Sequence, residues 1–325
     1  MRSRVVILLL IWLLCAWAAL HVGVVEVAVW STLLEPASAP LDWQILSEIR
    51  FPRMLLASLV GACLGCAGAA MQGLLRNPLA EPGIIGVSAG AARAAVSVLY
   101  FGWVGFHSAL LPLSAVVGSC FALVLVLLVA GPNPSITTLI LAGVAVSSAL
   151  GGGIALVLSF APSPFAMQEI SFWLMGSVAH RDVIQVAMVV PFALGGFALM
   201  AFSAGFLRAL SLGEVAAQGL GYVLPVQRTI VLLGVALLTG AAVAVARVVG
   251  FVGLMVPHMV RFMVGPDPAR LLMYSALAGA SFVLLADIAV QLLSPGRELK
   301  LGVLMSLLGA PFFLMLLRYR RGLVG

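Results

Sequence analysis

The sequence predicts an all-α polytopic membrane protein of about ten transmembrane helices, and three observations carry that prediction. Of 325 residues, 63% are hydrophobic and only 9% charged, with a mean hydropathy of +1.21, whereas soluble domains carry about 25% charged residues. Apolar runs recur along the whole chain, at close to the ~20 residues a helix needs to cross the hydrocarbon core. Basic side chains gather at alternate ends of those runs. Backbone amides find no water in lipid, so each run must be a helix or be buried against protein; strand-type alternation is absent.

The runs fall at residues 4–24, 52–72, 84–103, 110–129, 136–160, 183–206, 227–245, 249–264, 271–293 and 301–317. The stretch 227–264 is short for two full helices and long for one. Charge placement decides for two. With the N-terminus inside, ten basic residues lie at inner ends, including Arg2, Arg4, Arg76, Arg208 and the Arg318, Arg320, Arg321 cluster. Six lie at outer ends: Arg50, Arg53, Arg181, Arg247, Arg297 and Lys300, while Arg93 alone sits within a run. Merging the seventh and eighth runs would move Arg270 and the C-terminal cluster outside and erase the positive-inside bias. The expectation is therefore one membrane domain over 1–325, multi-pass in lipid, with both termini cytoplasmic.

The net charge of +6 sits where topology demands it and calls for no nucleic-acid partner. A basic N-terminus before an apolar run also suits a signal peptide, with Ala16-Trp17-Ala18 as a cleavage site, but apolar character continues to about Trp30, which favours an uncleaved first helix. Cys15, Cys63, Cys66 and Cys120 all lie in apolar runs, where a thiol acts as a small hydrophobe. Cys63 and Cys66 have the spacing of a metal pair but lack a second pair, so no metal site is expected.

One segment breaks the lipid rule. From Gln72 to Gly90 the chain carries two prolines, four glycines after Gln72, and several polar side chains; the prolines and glycines interrupt helices. Irregular backbone near membrane depth survives where it is buried in protein or lines a wet cavity. The segment reads as a pore-lining turn or as an ordinary cytoplasmic loop, and both readings stay open on these residues alone.

The motifs around this segment resemble a known family. Arg50-Phe51-Pro52-Arg53, then Gly61, Gly65 and Gly68, then Gln72 with Arg76-Asn77-Pro78-Leu79-Ala80 and Pro82-Gly83 are similar to the permeases that import iron-siderophores, haem and vitamin B12. So are the run Gly250 to His258, followed by Arg261, Gly265 and Asp267, and the later Leu284-Leu285-Ala286-Asp287, Glu298, Gly302 and Gly309 to Phe313. The resemblance implies ten helices, with inverted repeats over 52–160 and 227–317. It implies a homodimer with the pathway on its two-fold axis, two cytoplasmic ATPase subunits, a periplasmic binding protein and a bacterial inner-membrane location. No Walker-type loop occurs in the chain. ATP and magnesium would be used by the partner ATPase, and no cofactor is expected to be bound permanently.

The resemblance also places roles. The inner loop 207–226 carries Leu212, Gly213, Glu214, Ala216, Ala217, Leu220 and Gly221, small and apolar residues with one acid that suit a short helix docking in a partner's groove; in the family this is the coupling helix. Arg50 and Arg53 match the positions expected to receive acidic residues of the binding protein, and Arg297 is placed there by topology alone. Arginine offers a planar fork of donors for carboxylates, although Arg53 also suits simple snorkelling to the interface. Asn77 and Leu79 lie at the family's cytoplasmic gate. The glycines 61, 65 and 68 suit close helix packing.

Cargo is less legible. Arg93, a charge within a run, is costly there and reads as functional: it attracts an anionic cargo or pairs with Glu81 or Asp287. His180, after a half-helix over 163–176 bearing Trp173, is placed to meet descending cargo, and that half-helix equally reads as a lid. On these two residues haem stands first as cargo, a ferric siderophore second and vitamin B12 third. An ion-coupled secondary transporter is the alternative, with Asp287 as its one midplane acid. A membrane enzyme is disfavoured, since no catalytic cluster is present.

Overall fold

Long aliphatic runs with no water available to their amides close every backbone hydrogen bond internally, and the chain is helical nearly throughout. The computed structural model describes residues 2–103, 109–179, 181, 183–294 and 299–321; His180 and Arg297 lie outside these. Its helices are α1 (Arg2–His21), α2 (Val29–Leu34), α3 (Pro40–Gln44), α4 (Phe51–Leu74), α5 (Val87–Tyr100), α6 (Leu110–Ala130), α7 (Ile136–Ser159), α8 (Pro164–Leu174), α9 (Val183–Ser211), α10 (Glu214–Gly219), α11 (Leu224–Ala246), α12 (Val252–Val264), α13 (Pro268–Leu293) and α14 (Leu301–Arg321). Among the described residues seven helical stretches are long and apolar enough to cross a membrane, and the shorter apolar helices Val87–Tyr100, Val252–Val264 and Leu301–Leu316 fill the three remaining runs.

The structure moves several boundaries for physical reasons. Pro82 opens a 3-10 turn, Pro82–Ile85, and Gly86 follows with φ 78°, so α5 starts at Val87 and not at 84. The eighth run starts at Val252, because Phe251 also holds a left-handed conformation with φ 65°. α5 and α12 are thus paired in kind: each is short, and each is preceded by a left-handed residue after an irregular stretch. The sixth run continues to Ser211, past the expected 206, since Leu207, Ala209 and Leu210 are buried. The chain from Val29 to Arg50, unassigned from the sequence, forms α2, α3 and a π-helical turn that leads into α4.

α4 and α11 form the centre. Their apolar windows are 83% and 78% buried, against 22% for α1 and α7. Side chains could not fit where α4 meets its neighbours. A Cβ on Gly61 would lie 2.0 Å from the Gly279 carbonyl oxygen, one on Gly65 2.2 Å from that of Ser275, and one on Gly68 2.0 Å from that of Gly253. Three glycines on one face of α4 therefore let α13 and α12 press backbone against backbone, the contact by which helices associate when lipid removes the hydrophobic incentive. Polar fasteners add to this: Trp12 donates to Ser58 at 3.0 Å, joining α1 to α4, and Ser119 donates to the Ala236 carbonyl at 2.9 Å, joining α6 to α11.

Gly61→Ala should therefore lower stability by about 1–3 kcal/mol or more, the cost of overpacking, seen as a lower melting temperature in detergent. Gly195→Ala in α9, where a Cβ would meet only Leu237 at 3.8 Å, should be neutral or stabilise by up to ~1 kcal/mol through helix propensity. Equal effects from both would contradict the packing explanation.

Candidate translocation and coupling sites

Arg50 and Arg53 are both engaged within the protomer. Arg50, expected on a docking surface, is 5% exposed, and its guanidinium turns inward to donate to the carbonyls of Leu20 and Val25. It closes the chain segment that follows α1, which a buried guanidinium requires for satisfaction. Arg53 lays its fork on Asp287, Nε and Nη2 each 2.8 Å from a carboxylate oxygen. Asp287 is buried and also accepts from Gln291 at 3.0 Å. The midplane acid of the secondary-transporter alternative is thus committed to an α4–α13 ion pair.

That pairing also corrects the expectation for Arg93. Among the described residues no acid lies within ion-pair distance of it, neither Glu81 nor Asp287. Its Nη1 donates to Ser97 at 2.5 Å, and its side chain lies against α7 where Gly153 leaves room: a Cβ there would meet Nε at 2.6 Å.

The irregular segment after Gln72 lies against the break before α12. Gln72 donates to the Leu254 carbonyl at 3.3 Å and accepts from Arg261 at 2.8 Å, tying the end of α4 to α12. Asn77 accepts the Leu79 N–H at 3.0 Å, which fixes the turn. Asn77 is exposed and Leu79 half-buried at the inner end. Pro82 packs close against Gly253, and a cavity of ≈ 500 Å³ opens there, lined among others by Glu81, Ser88, Ser147, Gly151 and Phe251.

At the end of α9, Gly213 (φ 114°) and Gly221 (φ 88°) bracket α10. Ala217, fully buried, seats α10 against α9, and Glu214 pairs with Arg228 of α11 at 2.8 Å. Arg228 also donates to the Pro134 carbonyl at 2.8 Å, so the clamp reaches the α6–α7 turn. Leu212, Val215 and Leu220 remain exposed, at 73%, 83% and 64%, while Gly213, Ala216 and Gly221 supply the turns and small surface between them. Nearby, Arg208 reaches Asp267 at 3.0 Å. Burial raises the Asp267 pKa, but donors from Arg208 and from the Ala269 and Arg270 backbone outweigh it and hold the carboxyl below its usual range. The stability from this contact is full above the ordinary carboxylate range and lost as pH falls through the lowered value.

At the outer end, Trp173 is 3% exposed and lines a second cavity of ≈ 450 Å³ with Phe165, Glu169, Phe172, Arg247 and Lys300.

The FecCD transport family matches residues 6–319. The chain belongs to that family. Among its relatives, an uncharacterised ABC transporter permease protein of Bacillus subtilis (strain 168) is 40% identical over 289 residues, covering 87% of this chain and 81% of the relative. The vitamin B12 import system permease of Vibrio cholerae serotype O1 is 38% identical over 309 residues (92% and 90%). The hemin transport system permease of Yersinia pestis is 33% identical over 324 residues (97% and 95%). A solved structure described as an inward-facing conformation of a putative metal-chelate type ABC transporter superposes with a TM-score of 0.88 at 31% identity, covering 98% of this chain and 100% of that one.

Several residues that carry the FecCD resemblance are those the packing constrains: Gly61, Gly65 and Gly68 at backbone contacts, Gln72 and Arg261 at the α4–α12 tie, Arg53 and Asp287 as a pair. The Glu214–Arg228 clamp and the gathering of Arg247, Lys300 and Glu169 escaped the sequence reading. Fourteen and more residues separate their members, and only folding brings them together.

Removing one partner of the Arg53–Asp287 pair leaves the other uncompensated. Arg53→Met, which leaves the buried Asp287 carboxylate uncompensated, should cost about 3–5 kcal/mol, measured as a lower melting temperature in detergent. The double variant Arg53→Met, Asp287→Leu should recover most of that loss. A single variant that melts like the unaltered protein would show the pair to be dispensable.

Proposed function

We propose that the chain is the membrane-spanning subunit of an ATP-binding-cassette importer that carries an iron complex or another large metal chelate into the cytoplasm. Membership of the FecCD family supports the class, and one observation carries the reading for this chain: α10. A short helix seated by Ala217, clamped by Glu214 to Arg228, bearing exposed Val215 and flanked by exposed Leu212 and Leu220 has the build of an element that fills a partner's groove.

In this reading two copies form a homodimer in the bacterial inner membrane, with both termini cytoplasmic, and two ATPase subunits that bind ATP and magnesium engage α10. A periplasmic binding protein delivers cargo to the outer ends. Of the outer arginines near α4, Arg53 keeps a partly open side chain and is the better docking candidate; Arg297 joins it by topology. The uncovered faces of α7, with Leu141, Val144 and Leu156, and of α14, with Leu307, Leu308 and Leu314, face the pathway between copies. Cargo leaves past Asn77 and Leu79. Arg93 and His180, with Trp173, favour haem over a ferric siderophore, with vitamin B12 third, and relatives named for hemin and for vitamin B12 import fit that set. Walls of this kind hold cargo weakly, since tight binding slows release.

Val215→Asp, which puts a charge on the exposed face of α10 without touching its tether, should cut cargo-stimulated ATP hydrolysis at least about tenfold in proteoliposomes, the loss expected from a charge buried unpaired at an interface. Glu214→Ala should cut it less. Undiminished stimulation in Val215→Asp would overturn the coupling role of α10.

A further inference from the structure

Four non-glycine residues hold a positive φ among those described: Arg76, Asn133, Arg247 and Phe251. Phe251 stands apart, because a bulky aromatic residue rarely accepts this left-handed region, and its φ of 65° and ψ of −17° come at the head of α12. Strain of this kind persists only where the surroundings hold it. Two contacts do so. The Phe251 N–H donates to the Glu81 carboxylate, which belongs to the irregular segment between α4 and α5. The Phe251 ring lies on Gly309 of α14, so close that a Cβ there would stand 2.2 Å from Phe251 Cγ.

Each contact falls where the backbone is already interrupted. Glu81 follows Asn77 and Leu79 on the segment after α4, and among the described residues no basic side chain lies within ion-pair distance of its carboxylate. A half-buried carboxylate needs donors, and the head of α12 supplies one. On α14, Pro311 lies inside the helix two residues after Gly309, where it removes the hydrogen bond to the Leu307 carbonyl and bends the chain. Phe312, the next residue, stands edge-on to the His258 ring of α12 with centroids 5.8 Å apart, so the head and body of α12 touch α14 on both sides of that interruption. Glu81 and Phe251 also line the ≈ 500 Å³ cavity. The hydrogen bond between them therefore has open space beside it and can break without forcing apart a close-packed interior.

We propose that Phe251 is a positioning residue: its strained backbone and its ring set the bend of α14 at Gly309–Pro311, and Glu81 ties that bend to the segment bearing Asn77 and Leu79. Movement of the inner segment then passes through one carboxylate to one aromatic ring and on to the wall that carries Leu307, Leu308 and Leu314, so that gate and wall change together. Interruptions of this kind absorb the backbone rotation in hinged motions. Phe251 acts through α14 and touches no cargo. Its role in transport rests on the importer reading; the contacts themselves do not.

The first test is hydrogen exchange on the full chain in lipid nanodiscs, read on the backbone amides of α14. Phe251→Gly should speed exchange there about tenfold, the effect of one lost contact on a local opening. Its melting temperature should stay close to that of the unaltered protein, because glycine takes the left-handed backbone without strain and so offsets the lost ring. Glu81→Ala should speed exchange likewise, whereas Glu81→Gln, whose side-chain carbonyl still accepts the Phe251 N–H, should not. Gly309→Ala displaces the ring and should speed exchange by itself, but add little on top of Phe251→Gly, since both act on one contact. The second test is ATP hydrolysis in proteoliposomes with the ATPase subunits and a binding protein loaded with hemin or vitamin B12. The ratio of stimulated to basal hydrolysis should fall at least about fivefold in Phe251→Gly and Glu81→Ala, the lower end of coupling between sites, and hold in Glu81→Gln; a simple loss of folded protein lowers both rates alike and leaves the ratio unchanged. Exchange unaltered in Phe251→Gly, additive effects of Phe251→Gly and Gly309→Ala, or a ratio that none of the variants lowers would overturn the proposal and leave the importer reading standing. If neither loaded binding protein stimulates even the unaltered protein, the importer reading falls, and exchange in α14 decides whether Phe251 sets the bend.

Discussion

The backbone contact of α4 with α12 and α13 sets the terms for the rest of the molecule. α5 and α12 are both too short to span a bilayer alone, 14 and 13 residues at 1.5 Å each, and each starts from irregular backbone. Such backbone is tolerated at membrane depth only if protein covers it. Gly68 brings α4 onto Gly253 at the head of α12, Pro82 packs there from the other break, and Gln72 reaches the first carbonyls and the last-turn arginine of α12. The two interruptions thus shelter each other. A side chain at Gly68 would separate them and leave polar backbone facing lipid.

This arrangement divides the protomer by packing. The centre of α4, α11 and α13 is held by glycine contacts, the ion pair of Arg53 with the buried Asp287 and interhelical hydrogen bonds. α7, α8 and α14 carry their apolar side chains outward, and α7 includes Gly151 and Gly152 with open space around them. A transport cycle that moves walls while keeping the core intact suits that division, since packed cores switch between discrete arrangements and do not deform smoothly. The contacts of α10 fit too: the Glu214–Arg228–Pro134 chain joins α10 both to the buried α11 and to the turn that leads into α7.

Much of the fold was legible because lipid imposes a simple rule on sequence. Ten runs, split correctly at 227–264 by the positions of Arg270 and the C-terminal arginines, correspond to the helices observed, and the ends that moved did so where Gly86, Phe251 or Leu207–Leu210 set local conditions that hydropathy does not register. The sites were legible unevenly. The short helix α10 showed as small and apolar residues with one acid in the 207–226 loop. Arg50 did not show its fate, because hydropathy says that an arginine ends a helix and not which carbonyls lie within its reach. Arg93 was singled out, and of the alternatives left open for it the pairing with Asp287 is excluded: Asp287 belongs to Arg53, a pairing across α4 and α13 that spacing does not encode. Arg247 carried no signal in composition, since its strain exists only in backbone angles.

The most direct test of the central claim is uptake into proteoliposomes holding this chain with its ATPase subunits and a cargo-loaded binding protein, with ATP supplied or withheld and no ion gradient imposed. Accumulation that requires ATP and the binding protein, and persists when proton and sodium gradients are collapsed, is the expected result. Accumulation driven by an imposed ion gradient without the ATPase would contradict it and move the chain to the ion-coupled transporters.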